Sequence, residues 1–338
     1  MRLRVGVVGA GGAVGSTLLR VLQERRFPLS TLRLLATERS AGRRVRFAGA
    51  EVEIEPTRPE SFAGLDLCFL AVPGARVSRE LAPLAVAAGA MVIDKGSAFR
   101  MDPAVPLVVP EVNGAEVGPG PGLIASPNCT TIPLVMCLGP LHRAAGLRRV
   151  IVSTYQAASG AGHAGSAALR AEAAAALAGA PAPPPFFPRT LAFNAVPQCD
   201  SFGALGYTQE EWKLVRESRR ILGLPELRLA ATAVRVPVLV GHSEAVFVET
   251  ERPLSAAQAQ DILAAAPGVR VHAEPRGEGY PTALEVEGTD QAHVGRIRQD
   301  PSDPCGLHLW VVGDNLRKGA ATNAVQIAEL WLRRQALP

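Results

Sequence analysis

The residues with the clearest capacity for chemistry surround Cys129, near the middle of the 338-residue chain. The apolar run 123–125 precedes it through a Ser-Pro-Asn turn, and residues 130–135 have the composition of a helix start. A cysteine at a helix N-terminus lies at the positive end of the peptide dipoles, which favours the thiolate. Free N–H groups there can also hold an oxyanion that forms when the thiolate attacks a carbonyl. The alternative is a small buried apolar cysteine, and the local sequence leaves both interpretations open.

A histidine and several charged residues are candidates to act with that cysteine. Arg235 and His242 lie at opposite ends of a strand-turn unit. His242 is the best placed of the six histidines to act as a base. The alternative is a structural role, which is the usual one for a lone histidine. Glu210 and Lys213 share a helix face. They form either a simple ion pair or a carboxylate for a substrate ammonium beside an ammonium for a substrate anion. Arg100 follows a strand end, where it is either a surface charge or a ligand for an anionic group.

A glycine-rich loop near the N-terminus indicates a nucleotide site. Residues 3–8 have the pattern of a short buried strand, and residues 16–24 that of an amphipathic helix. Between them glycines recur at every third position, a variant of the dinucleotide fingerprint that lets the backbone approach a pyrophosphate at the helix N-terminus. The predicted cofactor-binding positions of this loop are Gly9, Gly12, Ala13, Val14 and Gly15.

The end of the second strand, predicted at residues 32–36, favours NADP over NAD. A site specific for NAD usually offers a carboxylate to the ribose hydroxyls at this point, whereas an arginine and hydroxyl groups suit a 2′-phosphate. Thr37, Arg39 and Ser40 follow the strand and favour the phosphate. Glu38 lies among them and can still reach a ribose.

The composition is that of a two-domain α/β enzyme. With 338 residues, the chain exceeds what one hydrophobic core usually supports. Hydrophobic residues make up 48% and charged residues 20%, which excludes a disordered or fibrous chain. The net charge of +4 comes from charges spread along the sequence, so we expect no nucleic-acid partner.

Cysteine usage and the absence of targeting signals predict a cytoplasmic protein. The five cysteines are odd in number, widely spaced and without a CxxC pair, which favours a reducing compartment and disfavours a structural metal site. A strand pattern begins within four residues of Met1 and leaves no room for a signal peptide. No apolar run approaches membrane-spanning length, so we expect no membrane partner.

Strands and helices alternate through the first part of the chain. Strands are predicted at residues 65–72 and 90–94, with a helix over about 77–88 between them. Repeated strand-helix-strand units predict a Rossmann-like, doubly wound parallel sheet with ligands outside its carboxyl edge. A β-rich run near 150–156 then leads to a second glycine-rich turn, suited to the nicotinamide end of a cofactor, and to a helix over about 166–177. This part predicts a second, α+β domain, and the last helix is expected to return to the first domain.

Five motifs taken together resemble aspartate-semialdehyde dehydrogenase of the bacterial type. They are the glycine loop at 9–15, Ser-Pro-Asn-Cys-Thr-Thr-Ile at 126–132, Ser-Thr-Tyr-Gln-Ala-Ala-Ser-Gly-Ala-Gly at 153–162, Gly-His-Ser-Glu-Ala at 241–245 and Asp-Asn-Leu-Arg-Lys-Gly-Ala-Ala at 314–321. The similarity runs from about residue 3 to residue 332. It implies an NADP-binding domain over 1–128, completed by 315–338, and a catalytic and dimerisation domain over 129–314.

The resemblance also implies an activity, which is the NADPH-dependent reductive dephosphorylation of L-aspartyl-4-phosphate to L-aspartate 4-semialdehyde in lysine, threonine and methionine biosynthesis. Cys129 is implied to form a thioester beside Asn128, with His242 as acid/base and Gln156 orienting the acyl group. The implied substrate ligands are Arg100 and Lys213 for the phosphate, and Arg235 and Glu210 for the α-carboxylate and α-ammonium. The implied cofactor ligands in the second half of the chain are Ser159, Gly160 and Asn315.

The implied partners are small molecules and further copies of the chain. The substrates are aspartyl phosphate, aspartate semialdehyde and inorganic phosphate, no metal ion is needed, and the assembly is a homodimer or homotetramer. Two alternatives remain. A reductase of N-acetylglutamyl phosphate would be expected to carry Gly-Cys-Tyr in place of Asn128-Cys129-Thr130, and its acetylated substrate lacks the free ammonium that Glu210 suits. A non-catalytic paralogue should have lost the cysteine or the histidine.

Three segments depart from the expected family pattern. Lys95-Gly96 replaces a common Asn-Ser, and this lysine could add a phosphate contact. Residues 71–75 lack the usual hydroxyl groups, and Pro133 replaces a usual glutamine. None of these changes removes a predicted catalytic group.

Overall fold

The computed structural model describes residues 2–273 and 279–335, and the chain divides into two compact units. The first unit comprises the chain up to Asn128 together with the segment from Ala320 onward, and the second comprises Cys129–Gly319. Residue 1 and residues 336–338, which belong to the predicted NADP-binding domain, lie outside the described residues.

The helices and strands are numbered in chain order. The strands are β1 Leu3–Val8, β2 Leu29–Ala36, β3 Arg44–Phe47, β4 Ala50–Pro56, β5 Leu67–Leu70, β6 Met91–Asp94, β7 Gly122–Ala125, β8 Leu147–Gln156, β9 Arg228–Arg235, β10 His242–Thr250, β11 Val269–His272, β12 Ala292–Asp300 and β13 Asp303–Gly313. The α-helices are α1 Ala13–Glu24, α2 Ala75–Ala87, α3 Pro110–Asn113, α4 Thr131–Ala145, α5 Gly162–Leu177, α6 Gln209–Leu222, α7 Ala256–Ala264, α8 Ala283–Val286 and α9 Thr322–Gln335.

The first unit is built on a seven-stranded sheet in the order β3-β4-β2-β1-β5-β6-β7. Every neighbouring pair is parallel except β3 with β4, which is antiparallel. The residues of β5 and β6 are buried without interruption, as expected of parallel strands that are covered on both faces. The predicted doubly wound α/β architecture is confirmed.

Parallel register brings the carboxyl ends of six strands to one edge of this sheet. Val8 lies opposite Leu35 and Leu70, and Asp94 lies opposite Leu70 and Ala125. The glycine loop, the segment after β6 and the turn at 126–128 therefore all leave the sheet at that edge. Ligands bind outside this edge in doubly wound sheets.

The last helix, α9, packs into the core of the first unit. Its apolar face is buried in one hydrophobic cluster with residues of β1 and α1. The indole Nε1 of Trp331 donates to the carbonyl oxygen of Gly120 at 2.8 Å. Nδ2 of Asn323 donates to the carbonyl oxygen of Val108 and to Ser126 Oγ, both at 3.0 Å. The end of the chain therefore holds the turn that leads to the central cysteine.

The second unit is built on a six-stranded mixed sheet in the order β11-β12-β13-β10-β8-β9. Helices α4, α6 and α7 cover one face, where Val150 and Val152 of β8 pack with Val246 of β10. Ile151 and Tyr155 alternate with them on β8 and point to the other face, where they are 38% and 36% exposed. Strand alternation therefore separates a core buried beneath the helices from a face that exposes these two apolar side chains.

Three helices begin earlier than the sequence predicts, and one of them, α2, begins at Ala75 rather than at about residue 77. Helix α1 begins at Ala13 rather than at residue 16, because Gly12 is extended at φ −84° and ψ 171° and acts as the N-cap. Helix α5 begins at Gly162 rather than at residue 166. In the part of the chain that the structure describes, no helix combines the length and apolar character needed to cross a membrane.

Candidate active site

Cys129 lies immediately before α4, which begins at Thr131. The backbone of Gly319 packs against it. A β-carbon at position 319 would lie 3.0 Å from the β-carbon of Cys129 and 3.1 Å from its carbonyl oxygen. A side chain at 319 would therefore crowd Cys129 and shift it by a few tenths of an ångström.

The cysteines differ in burial. Cys68, Cys137 and Cys199 are buried, whereas Cys129 and Cys305 are partly exposed. Burial raises the pKa of Cys68 and of Cys199 to about 12, so those thiols stay protonated at neutral pH. Cys129 combines partial exposure with a place before a helix, which are the conditions for a reactive cysteine.

The backbone of Ala157, just beyond the end of β8, joins two of the predicted site residues. Its N–H donates to His242 Nδ1 at 3.0 Å. Its carbonyl oxygen accepts from Arg235 Nη1 at 2.8 Å. Because Nδ1 accepts a hydrogen bond, the proton of the neutral imidazole must be on Nε2. The main chain thus sets the tautomer of the histidine and the position of the arginine.

His242 is neutral at physiological pH. Burial lowers its pKa to about 3, and the positive charge of Arg235 acts in the same direction. Nε2 is buried and has no hydrogen-bond partner within residues 2–273 and 279–335. It faces Gly160, where a β-carbon would lie 3.4 Å from Nε2 and 2.8 Å from Arg235 Nη1. The second glycine-rich turn therefore gives these two side chains their space.

Gln156 and Glu210 are in contact, although they lie on different elements. The amide Nε2 of Gln156 donates to Glu210 Oε1 at 3.2 Å and lies 3.3 Å from Thr154 Oγ1. Glu210 stands in the first turn of α6, whose N-cap Thr208 forms a capping box with Glu211. The capped helix start fixes Glu210 beside the end of β8.

Lys213 is held by two carboxylates. Its Nζ donates to Glu210 Oε2 at 3.0 Å and to Asp200 Oδ2 at 2.8 Å. The sequence predicts the first contact from the helical spacing but gives no sign of the second. The two contacts place the ammonium in an ion-pair network beside Gln156.

The charges around Cys199 link the cysteine before α4 to this group. The pKa of the Cys199 thiol responds first to burial, and then to the charges of Arg235, Glu210 and Cys129. Each of these three side chains therefore lies close enough to Cys199 to affect its pKa. Within the second unit, the structure therefore brings together residues that are far apart in the sequence.

Ser159 and Asn315 form a hydrogen-bonded unit. Asn315 Nδ2 donates to Ser159 Oγ at 2.9 Å, and Asn315 Oδ1 accepts from the N–H of Gly241 at 2.9 Å. Both side chains are 3% exposed. They tie the turn after β8 to the start of β10, and thereby support the backbone around His242.

The first glycine loop folds tightly between β1 and α1. Gly9 has φ +82°, and its N–H donates to the carbonyl oxygen of Leu35 at 2.7 Å. A β-carbon at Gly15 would lie 2.2 Å from the carbonyl oxygen of Gly9 and 2.8 Å from Ala10 Cα. The first N–H groups of α1 follow this turn directly, an arrangement that fits the pyrophosphate of a dinucleotide.

The segment after β2 carries the predicted ribose-side residues. Thr37 precedes a 3₁₀ turn over Glu38–Ser40. The Glu38 carboxylate pairs with Arg58 at 3.4 Å, and both side chains are largely exposed. Arg39 is exposed beside it. The carboxylate and the arginine thus both remain at the sheet edge where a nucleotide would lie.

Arg100 and Lys95 support the loop after β6. Arg100 is 7% exposed and donates through Nε to the carbonyl oxygen of Gly96 at 3.1 Å and through Nη2 to that of Lys95 at 2.8 Å. Lys95 Nζ donates to the carbonyl oxygen of Pro127 at 2.9 Å. The next residue, Asn128, is 6% exposed. Both cations are therefore bound to main-chain carbonyls at the carboxyl edge of the first sheet.

Comparison with known proteins identifies the family. A family model described as the NAD-binding domain of semialdehyde dehydrogenase matches residues 4–118, and one described as its dimerisation domain matches residues 138–318. The chain is 48% identical to the aspartate-semialdehyde dehydrogenase of Legionella pneumophila over 334 residues, which cover 98% of this chain and 96% of the relative. It is 46% identical to that of Bacillus subtilis over 335 residues, covering 97% and 96%. The chain belongs to the aspartate-semialdehyde dehydrogenase family.

A solved structure of this family has the same fold. The structure of aspartate-semialdehyde dehydrogenase II from Vibrio cholerae, complexed with ASA, has a TM-score of 0.94 and 43% sequence identity, and the match covers 98% of this chain and 99% of that one. The predicted resemblance is confirmed. The activity of this chain is the reductive dephosphorylation of aspartyl phosphate in amino-acid biosynthesis, with a nicotinamide cofactor.

Three features of the site were not predicted from the sequence. Ala157 acts through its backbone, and Asp200 lies in an irregular loop. Glu244, next but one to His242 on β10, is 0% exposed. Both of its carboxylate oxygens lack a hydrogen-bond partner in the described part of the chain, and burial raises its pKa well above the usual range. None of these three features can be predicted from a local pattern of residue types.

Proposed function

We propose that Cys129 is the nucleophile of this reaction, that His242 is its acid/base, and that Gln156 and Asn128 position the acyl group. The observation that carries the proposal is the backbone of Ala157, which binds His242 Nδ1 through its N–H and Arg235 through its carbonyl oxygen. This arrangement leaves Nε2–H as a donor at a buried position.

The chemistry follows from these groups. The Cys129 thiolate attacks the acyl carbon of aspartyl phosphate, the bond from carbon to phosphate oxygen breaks, and a thioester remains on the sulfur. A bound nicotinamide cofactor supplies a hydride. As the hydride adds to the thioester carbon, the carbonyl oxygen takes up the negative charge, and His242, the acid/base of this step, shares its Nε2 proton with that oxygen through a hydrogen bond and keeps it. When the carbon–sulfur bond breaks, the C=O bond re-forms, the semialdehyde leaves and the Cys129 thiolate is restored.

Charge complementarity supports the substrate assignments. We assign the α-carboxylate to Arg235, whose guanidinium is fixed at Ala157, and the α-ammonium to Glu210, which lies beside Gln156. Arg100 and Lys213 are assigned to the phosphate. The assignment of Arg100 is supported by its position at the carboxyl edge of the first sheet. The assignment of Lys213 is supported by the positive charge that its ammonium carries beside Glu210.

For the cofactor, we propose NADP in preference to NAD. The glycine loop is suited to either dinucleotide, and Gly9, Gly12, Ala13, Val14 and Gly15 are assigned to its pyrophosphate. The preference rests on the exposed Arg39, with Thr37 and Ser40 beside it, because an arginine and hydroxyl groups bind a 2′-phosphate well. The remaining proposed cofactor residues are Ser159, Gly160 and Asn315.

The assembly and location are part of the same proposal. We assign residues 1–128 and 315–338 to the NADP-binding domain and residues 129–314 to the catalytic and dimerisation domain. The open face of the second sheet, with Ile151 and Tyr155 exposed, supports a homodimer or homotetramer through that domain. The proposed location is the cytoplasm, where its five cysteines stay reduced.

The test is the reverse reaction. Reduction of NADP by the purified protein is measured with aspartate semialdehyde and phosphate, and again with NAD. Cys129→Ala should abolish the activity, while Cys305→Ala, which changes the other partly exposed cysteine, should leave it intact. Full activity of the Cys129 variant would overturn the assignment of the nucleophile. Equal kcat/KM with the two cofactors would overturn the assignment of Arg39.

A further inference from the structure

Asp200 extends the network of charges at Gln156. Lys213 Nζ lies between Glu210 Oε2, at 3.0 Å, and Asp200 Oδ2, at 2.8 Å. Glu210 turns its other oxygen to the amide of Gln156. The network therefore contains two carboxylates and one ammonium, and carries an excess of one negative charge.

The lysine keeps its charge at neutral pH. Burial lowers the pKa of Lys213, but the two carboxylates outweigh burial, and the resulting pKa is raised. If Glu210 and Lys213 were alone, their charges would cancel, and the pair would have little attraction for a cation. The excess negative charge of the network therefore depends on Asp200.

The turn that carries Asp200 is fixed on both sides. Before it, Val196 exchanges two backbone hydrogen bonds with Arg235, at 2.9 and 2.8 Å. After it, the carbonyl oxygen of Ser201 accepts from the N–H of Gln209, the first residue of α6. Asp200 has φ +70°, and its Oδ1 accepts from the N–H of Ser201 at 2.8 Å. An aspartate tolerates this left-handed backbone better than most residues do, so its second oxygen is aimed at Lys213 by the local fold.

We propose that Asp200 is a specificity-determining residue, which gives the Glu210–Lys213 pair the excess negative charge that selects a substrate with a free ammonium group. The proposal rests on the proposed role of Glu210. Asp200 supplies charge and positions Lys213, and it takes no part in bond making. Its removal should therefore change substrate discrimination more than turnover.

The experiment compares two aldehydes in the oxidative assay with phosphate and NADP. Aspartate semialdehyde carries the ammonium, and succinate semialdehyde has the same aldehyde and carboxylate without it. Asp200→Asn should raise KM for aspartate semialdehyde about fivefold, the factor that about 1 kcal/mol of a partly exposed charge interaction gives. The kcat value should stay within about twofold, since the network is not assigned to the chemical step. Discrimination against succinate semialdehyde should fall by the same fivefold factor.

The control and the companion variants separate the explanations. Glu249→Gln removes a carboxylate from the Arg148–Glu249 ion pair on β10, and should change neither KM nor discrimination. If Asp200→Asn lowers the thermal midpoint, the test is repeated with Asp200→Glu and Asp200→Gln, whose side chains have equal length and differ in charge. Discrimination between the two aldehydes should then be kept in Asp200→Glu and lost in Asp200→Gln.

Two results would overturn the assignments, and they can be told apart. If Glu210→Gln abolishes discrimination while Asp200→Asn keeps it, Asp200 has no such role and the role of Glu210 stands. If Glu210→Gln keeps discrimination, the proposed role of Glu210 fails and the inference fails with it.

Discussion

The chain has two glycine-rich turns, one in each unit, and they make room for different groups. In the loop between β1 and α1, a β-carbon at Gly15 would meet the backbone of Gly9 at 2.2 Å. In the turn between β8 and α5, a β-carbon at Gly160 would meet the side chains of Arg235 and His242. Glycine in the first turn lets the backbone fold on itself. Glycine in the second leaves space for functional side chains that come from elsewhere in the unit.

This difference shows why the two turns tolerate substitution differently. A backbone contact of 2.2 Å cannot be relieved without a change in the path of the loop. A contact with an arginine or a histidine can be relieved by a side-chain shift, which leaves the fold intact and disturbs the chemistry. Substitution of a glycine in the first turn should therefore impair folding and nucleotide binding. Substitution in the second turn should impair catalysis.

The largest expected effect is that of Gly15→Ala. The added methyl group has no space against the backbone of Gly9, so we expect a loss of about 3 kcal/mol in the free energy of unfolding and no measurable binding of NADP. Gly11→Ala, in the same loop, is the matched control, because its nearest contact would be 3.7 Å from Ile54. Denaturant titration and cofactor fluorescence check both. Equal behaviour of the two variants would contradict the steric account.

Gly160→Ala should act on the rate. The methyl group would displace Arg235 Nη1, which is 2.8 Å away, and crowd His242 at 3.4 Å. Misplacement of catalytic groups by about 1 Å can cost about 100-fold in rate, so we expect kcat to fall by about that factor while the thermal midpoint changes little. Gly313→Ala is the control in the same unit, since its nearest contact, with Pro133, would be an ordinary 3.5 Å. A large loss of stability with unchanged kcat would place Gly160 in the same class as Gly15.

A pH-dependent effect extends the comparison to the buried acids of the two sheets. Asp94 in the first sheet has partners, because its Oδ1 accepts from Ser78 Oγ and from the N–H of Gly96, whereas Glu244 in the second has none in the described residues. A carboxyl whose folded-state pKa is raised contributes its stability at pH values below its unfolded pKa and loses it as pH rises. Between about pH 4.5 and the folded-state pKa of Glu244, wild type should therefore lose stability relative to Glu244→Gln by about 1.4 kcal/mol per pH unit.

Unfolding of both proteins between pH 5 and 8 measures this slope for Glu244. Glu249→Gln on the same strand serves as the control, because the Glu249 carboxylate pairs with Arg148 near the surface. A difference between wild type and Glu244→Gln that stays constant with pH would show that the carboxyl is ionised in the folded protein.

The same contrast separates what the sequence could predict from what it could not. The first turn was predicted, because the glycine spacing, the strand before it and the helix after it are all local. The second is predicted as a glycine-rich turn suited to the nicotinamide end of a cofactor. Its contacts with Arg235 and His242 are not predicted, because β9 and β10 bring those side chains to it. Asp200 was missed because nothing in an irregular loop marks which of its charges will meet Lys213. Long-range placement, rather than residue type, was the missing information.

The hydrogen bond from Ala157 to His242 has a consequence for how this enzyme evolves. The orienting group is a main-chain N–H, which every amino acid except proline supplies. The histidine tautomer is therefore maintained by the path of the chain and not by the side chain at position 157. That side chain is fully buried, so the residues that can replace Ala157 are limited by the space around it and by the need for an N–H group. The residue type at this position does not reveal the hydrogen bond to His242.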